Sequence, residues 1–142
     1  MAGAPYSQQR QASRYELAGW LSRMFASIVD SVIFFVAGIA FVLAFRRAGF
    51  VVAVVFNIAY LTLLIGSGSG QTVGMRLLQI GIADVDTHQY PIGLARAAVR
   101  SVVFLAMSVV PFLALLSVLW PIWDPRNQTL HDKVVRSTAT VR

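Results

Sequence analysis

The chain has no cysteine. Disulfides, thiol nucleophiles and cysteine-ligated metals are therefore excluded, and the redox state of its compartment leaves no trace in it. Acids are scarce too: six Asp and Glu stand against twelve Lys and Arg, and Lys133 is the single lysine. With so few carboxylates, and only His88 and His131 as imidazoles, the sequence holds no metal-ligand cluster and no nucleophile–base pair. No enzymatic activity, cofactor or metal is expected. Charged residues make up 13% of the 142 residues and apolar ones 57%. A domain this small has too high a surface-to-volume ratio to hide that much apolar surface from water. Lipid is the solvent that suits it. The net charge of +6 then reads as attraction to anionic headgroups rather than to nucleic acid.

What is present divides the chain clearly. Residues 1–13 are polar and are expected to be disordered, since they cannot bury apolar area. They also lack the apolar core of a cleavable signal peptide, so the first apolar segment is expected to act as an uncleaved insertion signal. From Tyr15 onward Leu17, Trp20, Leu21 and Met24 recur at helical spacing, which predicts an interfacial helix with Trp20 at the headgroup level. Residues 25–45 are long enough to cross a hydrocarbon core of roughly 30 Å, and carry one charge, Asp30. A turn at Arg46 and Arg47 leads to a second span over 50–65, which holds Asn57 and Tyr60. Gly66, Gly68 and Gly70 end it. Residues 71–93 do not span, and 79–84 predict a short strand followed by a turn at Asp86. A third apolar stretch, 99–123, is broken by Pro111, which removes a donor and clashes with the preceding turn. The β-prone tail 134–141 is expected to pair with 79–84. The fold class is thus a mostly helical integral membrane protein, with residues 14–142 as one domain.

Three motifs recur in order. Arg23 is followed seven residues later by Asp30. Gly70-Gln71-Thr72-Val73-Gly74 continues through Arg76 to Asp84. Leu130-His131-Asp132 precedes the tail. Together they resemble the RDD family of small bacterial integral membrane proteins, named for one arginine and two aspartates, over roughly residues 15–142. Met75 and Gln79 depart from the family pattern, which commonly has lysine and glycine there; a strongly basic anion site at 70–79 is correspondingly weakened. The resemblance implies a multi-pass protein of the bacterial cytoplasmic membrane, and links some members to sodium–proton exchange.

Asp30 is the sharpest candidate. A carboxylate inside an apolar helix costs several kcal/mol unless paired, protonated or hydrated. Ion or proton handling and a polar clamp between helices both remain open. Arg23 and Asp30 lie almost two turns apart on one helix face, an axial gap of about 10.5 Å. Direct pairing needs an extended arginine, so Ser27 between them, or Asp132 from the tail, is a natural third member. Arg23, Asp30 and Asp132 are expected to form one polar cluster. Thr129 to Asp132 has capping-box spacing. That accounts for Asp132 and leaves His131 open to a structural or a proton-linked role. Asn57 and Tyr60 read as interhelical hydrogen-bonding groups, and Thr72 as a helix cap. The glycines at 66–70 are not a phosphate loop, because no lysine precedes Ser or Thr and no buried strand leads in.

Two arrangements suit the third apolar stretch. A single span divides the cations six against six. A re-entrant hairpin broken at Pro111 leaves Arg46 and Arg47 facing the other ten, the asymmetry that the positive-inside rule expects, with the N-terminus cytoplasmic. The expected partners are the lipid bilayer and either a larger membrane complex or further copies of the chain. The expected role is an accessory or assembly subunit; the alternative is a cation–proton exchanger, acting as an oligomer through Asp30.

Overall fold

A computed structural model of the chain describes residues 16–142; the disorder expected for 1–13 lies outside them. The fold is mostly helical. Helix α1 (Trp20–Phe45) runs through a 3-10 turn (Arg46–Ala48) into α2 (Gly49–Gly66). A short α3 (Val73–Leu77) precedes strand β1 (Ile80–Asp84). Then come α4 (Leu94–Ser108), α5 (Pro111–Leu119) with a 3-10 extension (Trp120–Ile122), α6 (Leu130–Val134) and β2 (Ser137–Val141).

Helices α1 and α2 form an antiparallel hairpin. Phe41 meets Phe56 with ring centroids 5.3 Å apart, and Phe34 meets Tyr60 at 5.1 Å. The reversal is made at Arg46, whose φ of 50° takes the backbone out of helix. The stretch Trp20–Gly66 is long and apolar enough to cross a membrane, and very little of it is buried within the chain. Phe35, Leu43 and Phe50 are all at least 70% exposed. A core helix of a soluble protein would bury such side chains.

The packed core lies at one end of this hairpin. Ile65, Ile80, Ile82, Ala97 and Ala139 are fully buried there, where the end of α2 and the start of α4 meet the sheet. Strands β1 and β2 are antiparallel, in register from Ile80 opposite Val141 to Asp84 opposite Ser137. The predicted pairing is therefore present, but it starts at residue 137, because Leu130–Val134 is helical.

One expectation fails. The helical spacing from Tyr15 does not give a helix there: α1 begins at Trp20, and residues 16–18 join the sheet. Ala18 N–H donates to Ala139 O (3.0 Å) and Val141 N–H to Glu16 O (2.7 Å). The outer edge of β2 offers unpaired donors and acceptors, and extended backbone satisfies them where a first helical turn could not.

The chain breaks where proline predicts. Val110 is extended and Pro111 starts α5 at its first position, because a residue before proline is steered out of the helical region. Helix α5 then folds back along α4. Arg100 on α4 and Ser117 on α5 both reach His131 in the tail, and Lys133 lies 5.4 Å over the Trp120 ring. The two arms are thus a helical hairpin whose ends share one side with the sheet.

The crossing of α2 and α4 depends on Gly66. A Cβ there would stand 2.8 Å from both the Ala97 Cβ and the Leu94 Cα. Gly66→Val should destabilise the protein by about 1–3 kcal/mol through overpacking. Gly38→Ala, where a Cβ meets nothing within 4 Å, should not. Thermal unfolding in detergent compares the two, and equal melting temperatures would refute the crossing.

Candidate functional site

Two polar centres occupy the packed end. The first is built on α6. Thr129 is its N-cap, with Oγ1 accepting from Asp132 N–H (3.3 Å), while Asp132 Oδ2 accepts from Thr129 N–H (3.2 Å). This reciprocal pair is the capping box that the spacing implied. It also aims the Asp132 carboxylate inward, where it is fully buried. Arg23, in the first turn of α1, donates to Asp132 Oδ2 and to Asn127 O. Arg100 Nε donates to Oδ1 at 2.8 Å, and Ser137 Oγ to the same oxygen at 3.4 Å. Burial alone would raise the Asp132 carboxyl; Arg100 and Arg23 overcome it and hold the group well below the usual carboxylate range.

His131 is packed against this ion cluster. Arg100 Nη2 lies 3.2 Å from its Nε2. A guanidinium has donors only, so Nε2 accepts, and Nδ1 carries the hydrogen toward Ser117 Oγ at 3.1 Å. Phe104 meets the ring edge-on at 5.2 Å. Burial, then the charges of Arg100 and Arg23, lower the imidazole to about 3, with Asp132 pulling the other way. His131 is therefore a neutral, hydrogen-bonded ring at physiological pH.

The second centre is Asp30. Its Oδ1 accepts from Tyr60 Oη and from Gly74 N–H, both at 3.0 Å, and its Oδ2 from Thr72 Oγ1 at 2.5 Å. Tyr60 Oη in turn accepts from Val73 N–H at 3.1 Å. The start of α3 is thus laid on α1, and a Cβ at Gly74 would run into the Ala26 carbonyl. The rest of the motif seats the loop. Gly70, at φ 67°, accepts from Ile82 N–H; Gln71 Nε2 donates to Ile80 O; Arg76 donates to Ser69 Oγ.

Arg23, Asp30 and Asp132 therefore do not form one cluster. Arg23 joins Asp132, and Asp30 is held separately by Tyr60 and α3. Ser27 does not bridge them, since its hydroxyl donates to the Arg23 carbonyl one turn back. Asn57 Oδ1 has no partner among the described residues. The unforeseen member is Arg100, whose signal was present: a lone charge near the start of an apolar run, the feature that singled out Asp30. The two centres share one cavity of about 400 Å³ between α1, α4 and α5, with Arg23, Asp30, Arg100 and His131 on its wall. Among the described residues no group of His, Asp and Glu is arranged to hold a metal.

The RDD family model matches residues 17–136. The chain belongs to the RDD family. No curated protein and no solved structure matches it. In this RDD protein the arginine–aspartate spacing of α1 serves two centres rather than one.

Acid should expose the role of His131. The unfolded chain takes up a proton there near pH 6.5, whereas the folded chain does so only near 3. The unfolded state thus binds more protons between these values, and stability falls on acidification by about 1.4 kcal/mol per pH unit. The Asp132 contribution is lost only below the ordinary carboxylate pKa of 3.8, so the range from pH 6.5 to 4.5 isolates the histidine. His131→Gln should flatten the melting-temperature slope over that range; an unchanged slope would rule out a buried neutral ring.

Proposed function

We propose that this RDD protein is a non-enzymatic accessory or assembly subunit of a larger complex in the bacterial cytoplasmic membrane. In this reading α1 and α2 span the bilayer, and the α4–α5 hairpin enters one leaflet and returns. The N-terminus, the sheet and the tail share the cytoplasmic side. One observation carries the role: the charged groups buried in the apolar segments are spent on internal structure. Asp30 meets three donors and Asp132 meets two arginines. What the chain offers outward is apolar side chain, such as Phe35, Phe112 and Val109, which suits lipid and neighbouring helices. In lipid, helices associate through van der Waals packing and interhelical hydrogen bonds. Partner capture is then the function, and Arg23, Asp132 and Asp30 maintain the presenting scaffold.

The alternative is cation–proton exchange by an oligomer through Asp30. It is favoured by the cavity that reaches this carboxylate. Purification of the full chain from native membranes should yield a stoichiometric foreign membrane protein. A clean homo-oligomer that drives sodium-dependent proton flux in vesicles, lost in Asp30→Asn, would replace the subunit reading with the exchanger.

Orientation is open to direct test, since the chain lacks cysteine. Ala48, Thr87 and Val141 are exposed, and each can be replaced singly by cysteine. An impermeant reagent applied to intact cells should label position 48 alone. Labelling at 141 as well would sink the returning hairpin, and labelling at 87 and 141 without 48 would invert the topology.

A further inference from the structure

Helix α4 has a face that nothing else among the described residues covers. Ala95, Val99, Val102, Ala106 and Val109 are all exposed, and they follow one another at steps of four, three, four and three residues. That is the 3.5-residue repeat by which one helix lays a continuous ridge along another. The ridge carries no charge. The arginines of α4 leave it on other sides, Arg96 toward Asp84 and Arg100 toward Asp132. Alanine and valine are small enough for two helices to approach closely in lipid.

An apolar ridge alone suits lipid tails equally well. The hairpin tip at its end does not. Val110 gives α5 no side-chain cap, and the N–H groups of Phe112 and Leu113 make no hydrogen bond among the described residues. The carbonyls of Ser108 and Val109 accept none there either. Ser108 Oγ gives its hydrogen to Phe104 O at 2.8 Å and keeps its acceptor capacity. Val109 and Phe112 are 78% and 70% exposed, so the tip is open. It is also deep. Gly66 meets Ala97, and Thr62 Oγ1 lies 3.5 Å from Ser101 Oγ. That antiparallel register, continued, sets Val109 level with Val54, about 18 Å from the Gly66 end of α2 at about 1.5 Å per residue. In the proposed orientation this is inside the hydrocarbon layer, where open backbone groups are tolerated only under a cover of protein or water. The apolar side chains of Val109, Val110, Phe112 and Leu113 give water little hold.

We propose that the α4 ridge and this tip are the contact surface for a second copy of the chain, in a parallel two-fold pair. A spanning helix of another protein has its mid-membrane backbone groups spent internally, and meets the tip only through a suitably placed polar side chain. A second copy brings unspent donors and unspent acceptors on one patch, the self-complementarity that a two-fold contact requires. Lying the same way in the same bilayer, it also brings them to the same depth. Ser108 Oγ and the open carbonyls of one copy then serve the Phe112 and Leu113 N–H groups of the other, while the two ridges pack beneath. The pair rests on the returning hairpin of the proposed orientation, and is compatible with a subunit that enters its complex as two copies.

The test is disulfide trapping of the full chain in native membranes, since the chain lacks cysteine. Single cysteines replace Ala95, Val99, Val102 and Ala106 on the ridge, Ala98, Val103 and Leu105 beside it, and Phe35 on α1 as an exposed control. Copper phenanthroline is the oxidant. A disulfide forms only between Cα atoms within about 7 Å, so ridge positions should give a covalent dimer of twice the chain mass at about fivefold or more the yield of the other four. Ala106→Phe, a bulky change at an exposed position, should lower the Val99→Cys dimer about tenfold by spacing the helices apart, without reducing the amount of inserted chain. Absence of a dimer at every ridge position would overturn the proposal. So would equal yields at Phe35 and on the ridge, or an unchanged dimer in Ala106→Phe. Ridge cysteines captured by a foreign chain instead of a second copy would also overturn it and give the surface to the partner complex. Labelling at position 141 from outside would defeat the orientation itself. Missing dimers with label at 48 alone would defeat only the pair, and co-purification decides the subunit reading separately.

Discussion

The fold depends on one shared carboxylate. Asp132 is contacted by Arg23 from the first turn of α1 and by Arg100 from α4, so three parts of the chain that are far apart in sequence are tied at one point. A buried ion cluster of this kind is poor evidence for net stability, because desolvation offsets much of the attraction. Removing one member is another matter, since it strands the others in low dielectric at a cost of about 3–5 kcal/mol. The constraint is therefore on arrangement. With Asp132 in place, α6 is capped, β2 follows directly, and β2 then receives β1 on one edge and residues 16–18 on the other.

The two aspartates of the RDD motif do different work, and their donors show why. Asp132 faces permanent cations and takes its place in an ion cluster. Asp30 faces a phenol, a hydroxyl and a backbone amide, none of which carries charge. Its partners come from α2 and from the loop ahead of β1, so it joins the α1–α2 hairpin to the sheet. Gly74 is required for that approach and Thr72 serves twice, as donor to Asp30 and as cap of α3. A carboxylate with three donors set by the fold is a structural acceptor first. For an exchanger the same donors would have to release it in every cycle.

Features carried by a few adjacent residues were legible in the sequence. Pro111 announces the break between α4 and α5 because its own ring and its effect on Val110 are local. The Thr129–Asp132 capping box and the Thr72 cap are likewise set within four residues. The β1–β2 pairing was readable from two short β-prone runs, each near a turn. Partnerships across the fold were not. Seven-residue spacing puts Arg23 and Asp30 on one face of α1 but does not say which element covers each turn of that face. An apolar run that begins at residue 99 leaves Arg100 at its edge, whereas α4 begins at Leu94 and carries Arg100 inward on its second turn. Residues 16–18 were misread because a helical spacing of apolar side chains says nothing about an unpaired strand edge waiting nearby.

The placement of charge links the ion cluster to the proposed orientation. Of the ten cations among the described residues, Arg46 and Arg47 lie at the α1–α2 turn and the other eight at the opposite end. All six acids are at that end as well, Asp30 included through Tyr60, Thr72 and Gly74. Several of these cations are paired in the folded chain: Arg23 and Arg100 with Asp132, Arg96 with Asp84, Lys133 with Asp124, Arg136 with Asp86. Pairing does not cancel their effect on insertion, because orientation follows the count of Lys and Arg near the apolar segments and Asp and Glu contribute little to it. The same arginines can therefore act twice. In the proposed orientation, as unpaired charges they would hold their end of the chain on the cytoplasmic side during insertion of α1 and α2. Once the tail arrives, Arg23 and Arg100 close on Asp132 and lock that end together. A chain in which eight described cations crowd one end of a helical hairpin would repel itself if folded without acids. The six acids placed among them offset that repulsion, so the asymmetry that the proposed orientation calls for is compatible with a compact folded end.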